Sequence, residues 1–106
     1  MNTHQQVTAV KDIIRIKNRI LHTSDWVEIA DLLQKAIDLC AAVPPNSDLD
    51  PVDKTMSKGW NIISLKRLIK SIREGAYSDV EAAYPEIATS LLRLAMVFVK
   101  NGLDDV

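Results

Sequence analysis

Hydrophobic side chains recur every three to four residues along most of the chain, which is the spacing of one face of an α-helix. The first such segment covers residues 5–22, and the second starts at Asp25, which has the spacing of a helix-capping box with Glu28. Further segments cover residues 60–74 and 78–100. No segment alternates apolar and polar residues between hairpin turns, as paired strands would. We therefore predict an all-α protein with four main helices.

Proline and glycine residues mark the ends of these helices. The second helix is predicted to stop before Pro44, because a proline pushes the preceding residue out of helical geometry. Residues 43–50 then form a loop. Asp50 followed by Pro51 is typical of a cap and a first helical turn, so we expect a short extra helix after the 43–50 loop. Gly75 is predicted to end the third main helix.

The fourth helix is expected to start at Ser78, which has capping-box spacing with Glu81, and to contain a kink or a restart at Pro85. Two helical hairpins, residues 5–43 and 51–101, should then pack antiparallel as a four-helix bundle. The fourth helix is apolar on most sides and is expected to be the central one.

The apolar faces of the four predicted helices supply the candidates for the core. They are Val7, Val10, Ile13, Ile14, Ile20 and Leu21; Trp26, Ile29, Leu33, Ala36, Ile37 and Cys40; Ile62, Leu65, Leu68, Ile69 and Ile72; and Ile87, Leu91, Leu92, Leu94, Ala95, Met96, Val97, Phe98 and Val99.

The composition fits a single globular domain over residues 1–106, because 47% of the residues are hydrophobic and 25% are charged. Cys40 is the only cysteine, so no intramolecular disulfide can form, which agrees with a reducing cytosol. The first residues do not have the build of a signal peptide, and Arg93 interrupts the longest apolar stretch. We therefore expect a cytoplasmic protein with no membrane partner.

The charges are sorted by segment. Residues 1–22 carry four basic and one acidic residue, and residues 23–53 carry one basic and seven acidic residues. Residues 54–75 carry six basic and one acidic residue, and residues 76–106 carry two basic and five acidic residues. Because consecutive segments have opposite sign, the pattern favours antiparallel neighbours, although each exposed ion pair adds at most about 1 kcal/mol.

The third helix carries the most informative predicted surface. At about 100° per residue, Trp60, Ile63, Lys66, Arg67 and Lys70 lie on the side away from its apolar face. An aromatic and an aliphatic side chain among cations are typical of a binding surface, because Trp and Arg anchors dominate many protein interfaces. In the alternative interpretation, Trp60 folds back onto the core from the start of the helix.

No catalytic or metal-binding constellation is predicted. His4 and His22 are isolated from each other and from Cys40, and Cys40 lies on an apolar face where a thiol is usually inert. The acidic run 48–53 lacks the glycine and the distal glutamate of a calcium loop. The chain also lacks a glycine-rich phosphate loop, so we expect neither a metal nor a cofactor.

One family resemblance is present. The segments 68–75, 86–95 and 101–104 resemble the central helices of the MazG-type all-α nucleotide pyrophosphohydrolases. Those enzymes hold magnesium between a Glu-x-x-Glu helix and a Glu-x-x-Asp helix. Here Ser64-Leu-Lys-Arg67 replaces the first motif, and the second motif ends in Thr89 instead of Asp. The stretch from Glu28 to Asp31 matches the second motif, but the helix before it contains no Glu. Since Mg²⁺ requires oxygen ligands, we do not expect an active enzyme.

Three hypotheses of function follow. The leading one is a non-enzymatic helical binding protein that docks on a larger protein as an adaptor, immunity factor or inhibitor, with self-association as a further expectation. The second is nucleic-acid binding through the basic side of the third helix, with support from the first helix. The cations for this would be Lys58, Lys66, Arg67, Lys70 and Arg73, joined by Lys11, Arg15 and Arg19. The third is a degenerate MazG-like hydrolase.

Overall fold

A computed structural model describes residues 3–44 and 57–98 of the chain. These residues form four helices, α1 (Thr3–Leu21), α2 (Trp26–Ala41), α3 (Lys58–Arg73) and α4 (Val80–Met96), and no strand occurs among them. The predicted all-α class is confirmed. The short extra helix predicted after Pro51 lies outside the described residues, as does most of the 43–50 loop.

The four helices form a ring. α1 packs against α2 and α4, and α3 also packs against α2 and α4, so α1 and α3 occupy opposite corners. Short turns reverse the chain between α1 and α2 and between α3 and α4. The Lys58 ammonium lies 3.0 Å from the Ala41 carbonyl oxygen, which places the start of α3 beside the end of α2. The predicted four-helix bundle is thus confirmed, with antiparallel neighbours. The fourth helix is a member of the ring and not a central helix.

Side-chain caps fix where three of the helices begin. The carboxylate of Asp25 accepts a hydrogen bond from the Val27 amide at 3.0 Å, as the sequence predicts. The Ser57 hydroxyl caps α3 in the same way, and α3 therefore begins before the predicted Trp60. The cap of α4 is Asp79, whose carboxylate accepts from Ala82 at 2.7 Å. The prediction of Ser78 as this cap was wrong by one residue.

The predicted capping box at the start of α2 does not close. Glu28 accepts hydrogen bonds from the Thr23 hydroxyl at 3.0 Å and from the Arg19 guanidinium at 2.9 Å. The Asp25 amide, which a capping box would join to Glu28, instead donates to the Thr23 hydroxyl. Glu28 therefore links α1 to α2.

The ends of α3 and α4 differ in how well the sequence predicts them. Gly75 has φ +77°, in the left-handed region that favours glycine, and it follows the last turn of α3 as predicted. α4 continues without a restart through Pro85 and ends at Met96. The prediction that this helix continues to residue 100 was wrong, because Val97 caps its end and Phe98 is no longer helical.

The core is almost wholly aliphatic, because Phe98 is the one aromatic residue among its buried members. Of the predicted core residues, Leu21 and Met96 are 55% and 42% exposed, and five others are only partly buried: Val7, Ile14, Trp26, Ile62 and Leu92. Val99 lies outside the described residues. Ile16 and Ala9 are buried in addition. The reason is that α1 packs against two neighbours, so its buried arc is wider than one stripe, while Leu21 and Met96 are the last residues of their helices.

Two polar side chains are buried with the core, and both have partners. The Gln6 amide donates to the Pro44 carbonyl oxygen at 3.0 Å, and the Asn61 amide donates to the Ser57 carbonyl oxygen at 2.8 Å. Such groups are costly to bury unless they are hydrogen-bonded. Gln6 thereby joins the start of α1 to the end of α2.

None of the helices in the described residues is long and apolar enough to cross a membrane.

Truncation of a core side chain should lower stability far more than the same truncation at the surface. Leu33 is fully buried, and Leu33→Ala should cost about 2–5 kcal/mol of unfolding free energy, because it removes apolar contacts and leaves a cavity. Leu21→Ala, the matched control at an exposed position, should cost less than about 1 kcal/mol. Urea denaturation followed by circular dichroism measures both. Equal losses would contradict this assignment of the core.

Candidate functional site

All five residues of the predicted binding surface are exposed. Trp60 and Ile63 are 44% and 48% exposed, and Lys66, Arg67 and Lys70 are exposed as well. Trp60 lies in the first turn of α3, where Ser57 caps its amide, and it does not fold back into the core.

The structure separates these five residues into two grooves on either side of α3. Trp60, Ile63 and Arg67 line a groove of about 240 Å³ between α3 and α4, which we call the α3/α4 groove. Lys66 and Lys70 line a groove of about 400 Å³ on the other side of α3, next to α2, which we call the α2/α3 groove. The split follows from the helical period, because positions 60, 63 and 67 recur along one line of the helix while 66 and 70 recur along another.

The α3/α4 groove combines apolar, cationic and hydroxyl groups. Trp60 and Ile63 form its apolar part beside the Arg67 guanidinium. The remaining lining residues are Ser64, Leu68, Ser71, Glu86 and Ser90. Within residues 3–44 and 57–98, Arg67 forms no ion pair. The groove therefore offers an apolar contact area next to an exposed guanidinium that forms no ion pair among the described residues, with one carboxylate, Glu86, in the same groove.

Glu86, the carboxylate in the α3/α4 groove, is held from outside the groove. Its Oε2 accepts a hydrogen bond from the Tyr77 hydroxyl at 2.5 Å. This bond raises the pKa of Tyr77 to about 12, because ionisation would remove the proton of the hydrogen bond and place a phenolate next to the Glu86 carboxylate. Tyr77 also stacks on Trp26, with ring centroids 6.3 Å apart. Sequence reasoning missed this chain of contacts, since Tyr77, Trp26 and Glu86 belong to three different segments.

The larger basic surface considered from the sequence does not form among the described residues. The Lys58 ammonium donates to the Ala41 and Val43 carbonyl oxygens at the end of α2, and is thus directed away from the grooves. Arg15 and Arg19 lie on α1, at the corner opposite α3, and pair with Asp12 and Glu28. The exposed cations that remain together are those of α3: Lys66, Arg67, Lys70 and Arg73.

Cys40 is fully buried in the core. Burial raises the pKa of its thiol to about 12, because the thiolate would lose its hydration, although the nearby Lys58 charge opposes the shift. In the part of the chain that the structure describes, no three His, Cys, Asp or Glu residues come close enough to hold a metal ion.

The positions that carry the resemblance to the MazG-type enzymes do not bring carboxylates together. Ser64 and Arg67 line the α3/α4 groove with Glu86 as its one carboxylate. Glu28 and Asp31 lie on α2, which is diagonal to α4 in the ring. Magnesium prefers several oxygen ligands, and this groove supplies one carboxylate beside a cation.

No family model, no curated protein and no solved structure matches this chain.

The buried thiol should resist modification in the folded protein. With a pKa of about 12, Cys40 is almost wholly protonated at pH 8, and the core blocks access to it. Ellman's reagent at pH 8 should therefore react with the native protein at least about a hundredfold more slowly than with the protein in guanidinium chloride, where a pKa near 8.5 is restored. A native reaction as fast as the denatured one would show that the thiol is accessible.

Proposed function

We propose that this protein is a non-enzymatic binding protein that docks on an acidic surface of a larger protein through the α3/α4 groove. The observation that carries the proposal is the exposed pair Trp60 and Ile63 beside Arg67, a cation without an ion pair among the described residues. Such a protein would act as an adaptor, immunity factor or inhibitor. A cytoplasmic location is part of the proposal, because the protein's only cysteine is a buried free thiol.

The apolar pair would supply part of the binding energy. Roughly half of each side chain is exposed, and burying these parts would contribute roughly 1–2 kcal/mol for each residue. Trp is the residue type that most often dominates interfaces when it enters a desolvated pocket. The two residues are one turn apart on a rigid helix, so little conformational entropy is lost on binding.

Arg67 and its neighbours specify the charge of the partner. A guanidinium that is desolvated at an interface needs a carboxylate or phosphate to offset the loss of hydration. Lys66 and Lys70 on the other side of α3 extend the positive potential, which speeds the approach of an acidic surface. An acidic protein with an apolar side chain next to a carboxylate fits both parts of the groove.

Capture of a partner should depend on the groove and not on net charge. When the tagged protein is incubated with an extract of the cells in which it occurs naturally, it should bind one partner protein in a near-stoichiometric amount. Trp60→Ala and Arg67→Glu should each reduce this retention by at least about tenfold, because each removes an anchor. Lys11→Glu changes the charge by the same amount on the exposed surface of α1 and should have no effect.

Mass spectrometry identifies and quantifies the partner protein retained by each variant. Circular dichroism of each variant is the control for folding. Retention of the same protein by all variants would contradict the α3/α4 groove as the docking site. Retention of no protein at all would contradict the proposed function.

Nucleic-acid binding is the second candidate, and the four exposed cations of α3 favour it. Phosphates are bound by charge, so Lys66→Glu with Lys70→Glu should abolish binding while Trp60→Ala leaves the salt dependence unchanged. A mobility-shift assay with duplex and single-stranded DNA and RNA over a salt series measures this. The absence of any shift at low salt would remove this candidate.

A further inference from the structure

The chemical character of the α3/α4 groove changes along its length. Its apolar part, Trp60 and Ile63, lies within about 8 Å of the start of α3, and Arg67 lies about 14 Å from that start. Because α3 and α4 are antiparallel neighbours of similar length, the start of α3 lies beside the end of α4. The groove is therefore apolar where α4 ends and cationic about one turn further along α3.

The chain leaves α4 at the apolar end of this groove. Phe98 is the last residue that the structure describes, and residues 99–106 follow it in the sequence. Among them, Leu103 is followed directly by Asp104 and Asp105. We call these three residues the Leu-Asp-Asp segment. Its apolar side chain next to carboxylates is the chemistry that fits both parts of the groove.

We propose that the Leu-Asp-Asp segment occupies the α3/α4 groove of its own chain. The segment runs back along α3 from the end of α4, so that Leu103 meets Trp60 and Ile63 before the carboxylates reach Arg67. The order of apolar and acidic groups in the segment thus matches the order of apolar and cationic groups in the groove. The contact combines burial of an aliphatic side chain with charge-assisted hydrogen bonds to a guanidinium.

The intervening chain is long enough for this contact. Since neighbouring helix axes lie about 10 Å apart, Ile63 and Arg67 are about 13 Å and about 17 Å from the end of α4. An extended chain spans at most about 3.4 Å per residue, so Leu103 can lie up to about 17 Å from Phe98. By the same measure, Asp105 can lie up to about 24 Å from Phe98. Each residue therefore reaches the part of the groove that it matches.

The carboxylate of Glu86 leaves room for the segment. Glu86 lies about 15 Å from the end of α4 and is thus about level with Arg67. Its hydrogen bond from Tyr77 holds it towards the turn between α3 and α4, which is the end of the groove opposite to the one where the segment enters. Arg67 forms no ion pair among the described residues, so its guanidinium can accept a carboxylate of the segment.

Tethering compensates for the small size of the contact. A segment joined to its site by a few residues has an effective concentration on the order of 1 mM. A dissociation constant of the same order therefore keeps the groove occupied in about half of the molecules. Exposed ion pairs alone add little, and the apolar contact of Leu103 with Trp60 and Ile63 supplies the rest.

The consequence for partner binding rests on the proposed function. A partner that presents an apolar side chain next to a carboxylate competes with the segment for the same groups. At half occupancy by the segment, the apparent affinity for the partner is about twofold lower than for the open groove.

A nitroxide label at position 106 of the full-length protein measures the contact. It is attached through Val106→Cys, because Cys40 is buried in the core. In correlation spectra of the ¹⁵N-labelled protein, the docked segment should hold the label close enough to broaden the amide signals of Ile63 and Arg67. Leu103→Ala with Asp104→Asn and Asp105→Asn, the segment variant, should reduce this broadening at least about threefold, because a tenfold weaker contact lowers the occupied fraction from about half to about a tenth.

Matched variants separate docking from mere proximity. The segment variant has the same length as the parent chain, so any broadening from an undocked segment is common to both. Arg67→Glu places a carboxylate opposite the segment and should release it. Lys66→Glu makes the same charge change at the adjacent position, which lines the α2/α3 groove, and should leave the broadening unchanged. Circular dichroism of each variant is the control for folding.

The inference is overturned if the parent chain and the segment variant broaden Ile63 and Arg67 equally. It is also overturned if Lys66→Glu releases the segment as completely as Arg67→Glu does. In the capture experiment with limiting protein, the segment variant should retain about twice as much partner as the wild type, because its groove is open. Docking without any captured partner would contradict the proposed function alone, whereas capture without docking would contradict this inference alone.

Discussion

The burial of one apolar face from each of four short helices is the constraint on which the structure depends. The longest helix in the described residues has 19 residues, and in proteins most of the stability of such a helix comes from the packing of its apolar face. Each helix is therefore stable only against its two neighbours in the ring. The resulting core is mainly aliphatic and contains few polar groups. Its buried polar side chains, Gln6 and Asn61, are hydrogen-bonded. The arrangement of the four helices around this core then determines which side chains lie on the surface.

Contacts at the two ends of the bundle hold the ring in place. At the end with the short turns, Glu28 binds Arg19 across α1 and α2, and Trp26 stacks on Tyr77 across both turns. At the opposite end, Gln6 and Lys58 donate to backbone carbonyl oxygens near the end of α2. These contacts have a consequence for the surface. Tyr77 donates a hydrogen bond to Glu86, a residue that lines the α3/α4 groove, and Lys58 is directed away from the basic side of α3.

Opposite charges alternate around the ring, because the basic helices α1 and α3 stand at opposite corners between the acidic ones. This arrangement avoids contact between helices of like charge, although few of the charges form ion pairs. It also gives α3 two different sides. One side combines Trp60 and Ile63 with a cation, and the other places cations beside residues of α2.

Local features of the sequence determined the helices, since helical period, caps and stops depend on residues within one or two turns. The cap Asp25, the stop at Gly75 and the burial of Cys40 were all predicted in this way, whereas the exposure of Trp60 was one of two interpretations that the sequence left open. Local sequence does not always identify the capping residue. The adjacent residues Ser78 and Asp79 can both cap a helix, and only the structure shows that Asp79 does so.

The tertiary structure alone decided which neighbouring helix each line of the predicted α3 surface faces, and it also decided the burial of Ile16 and the position of Glu86. These features depend on which helices become neighbours. That choice rests on contacts between residues distant in sequence, which no local pattern encodes.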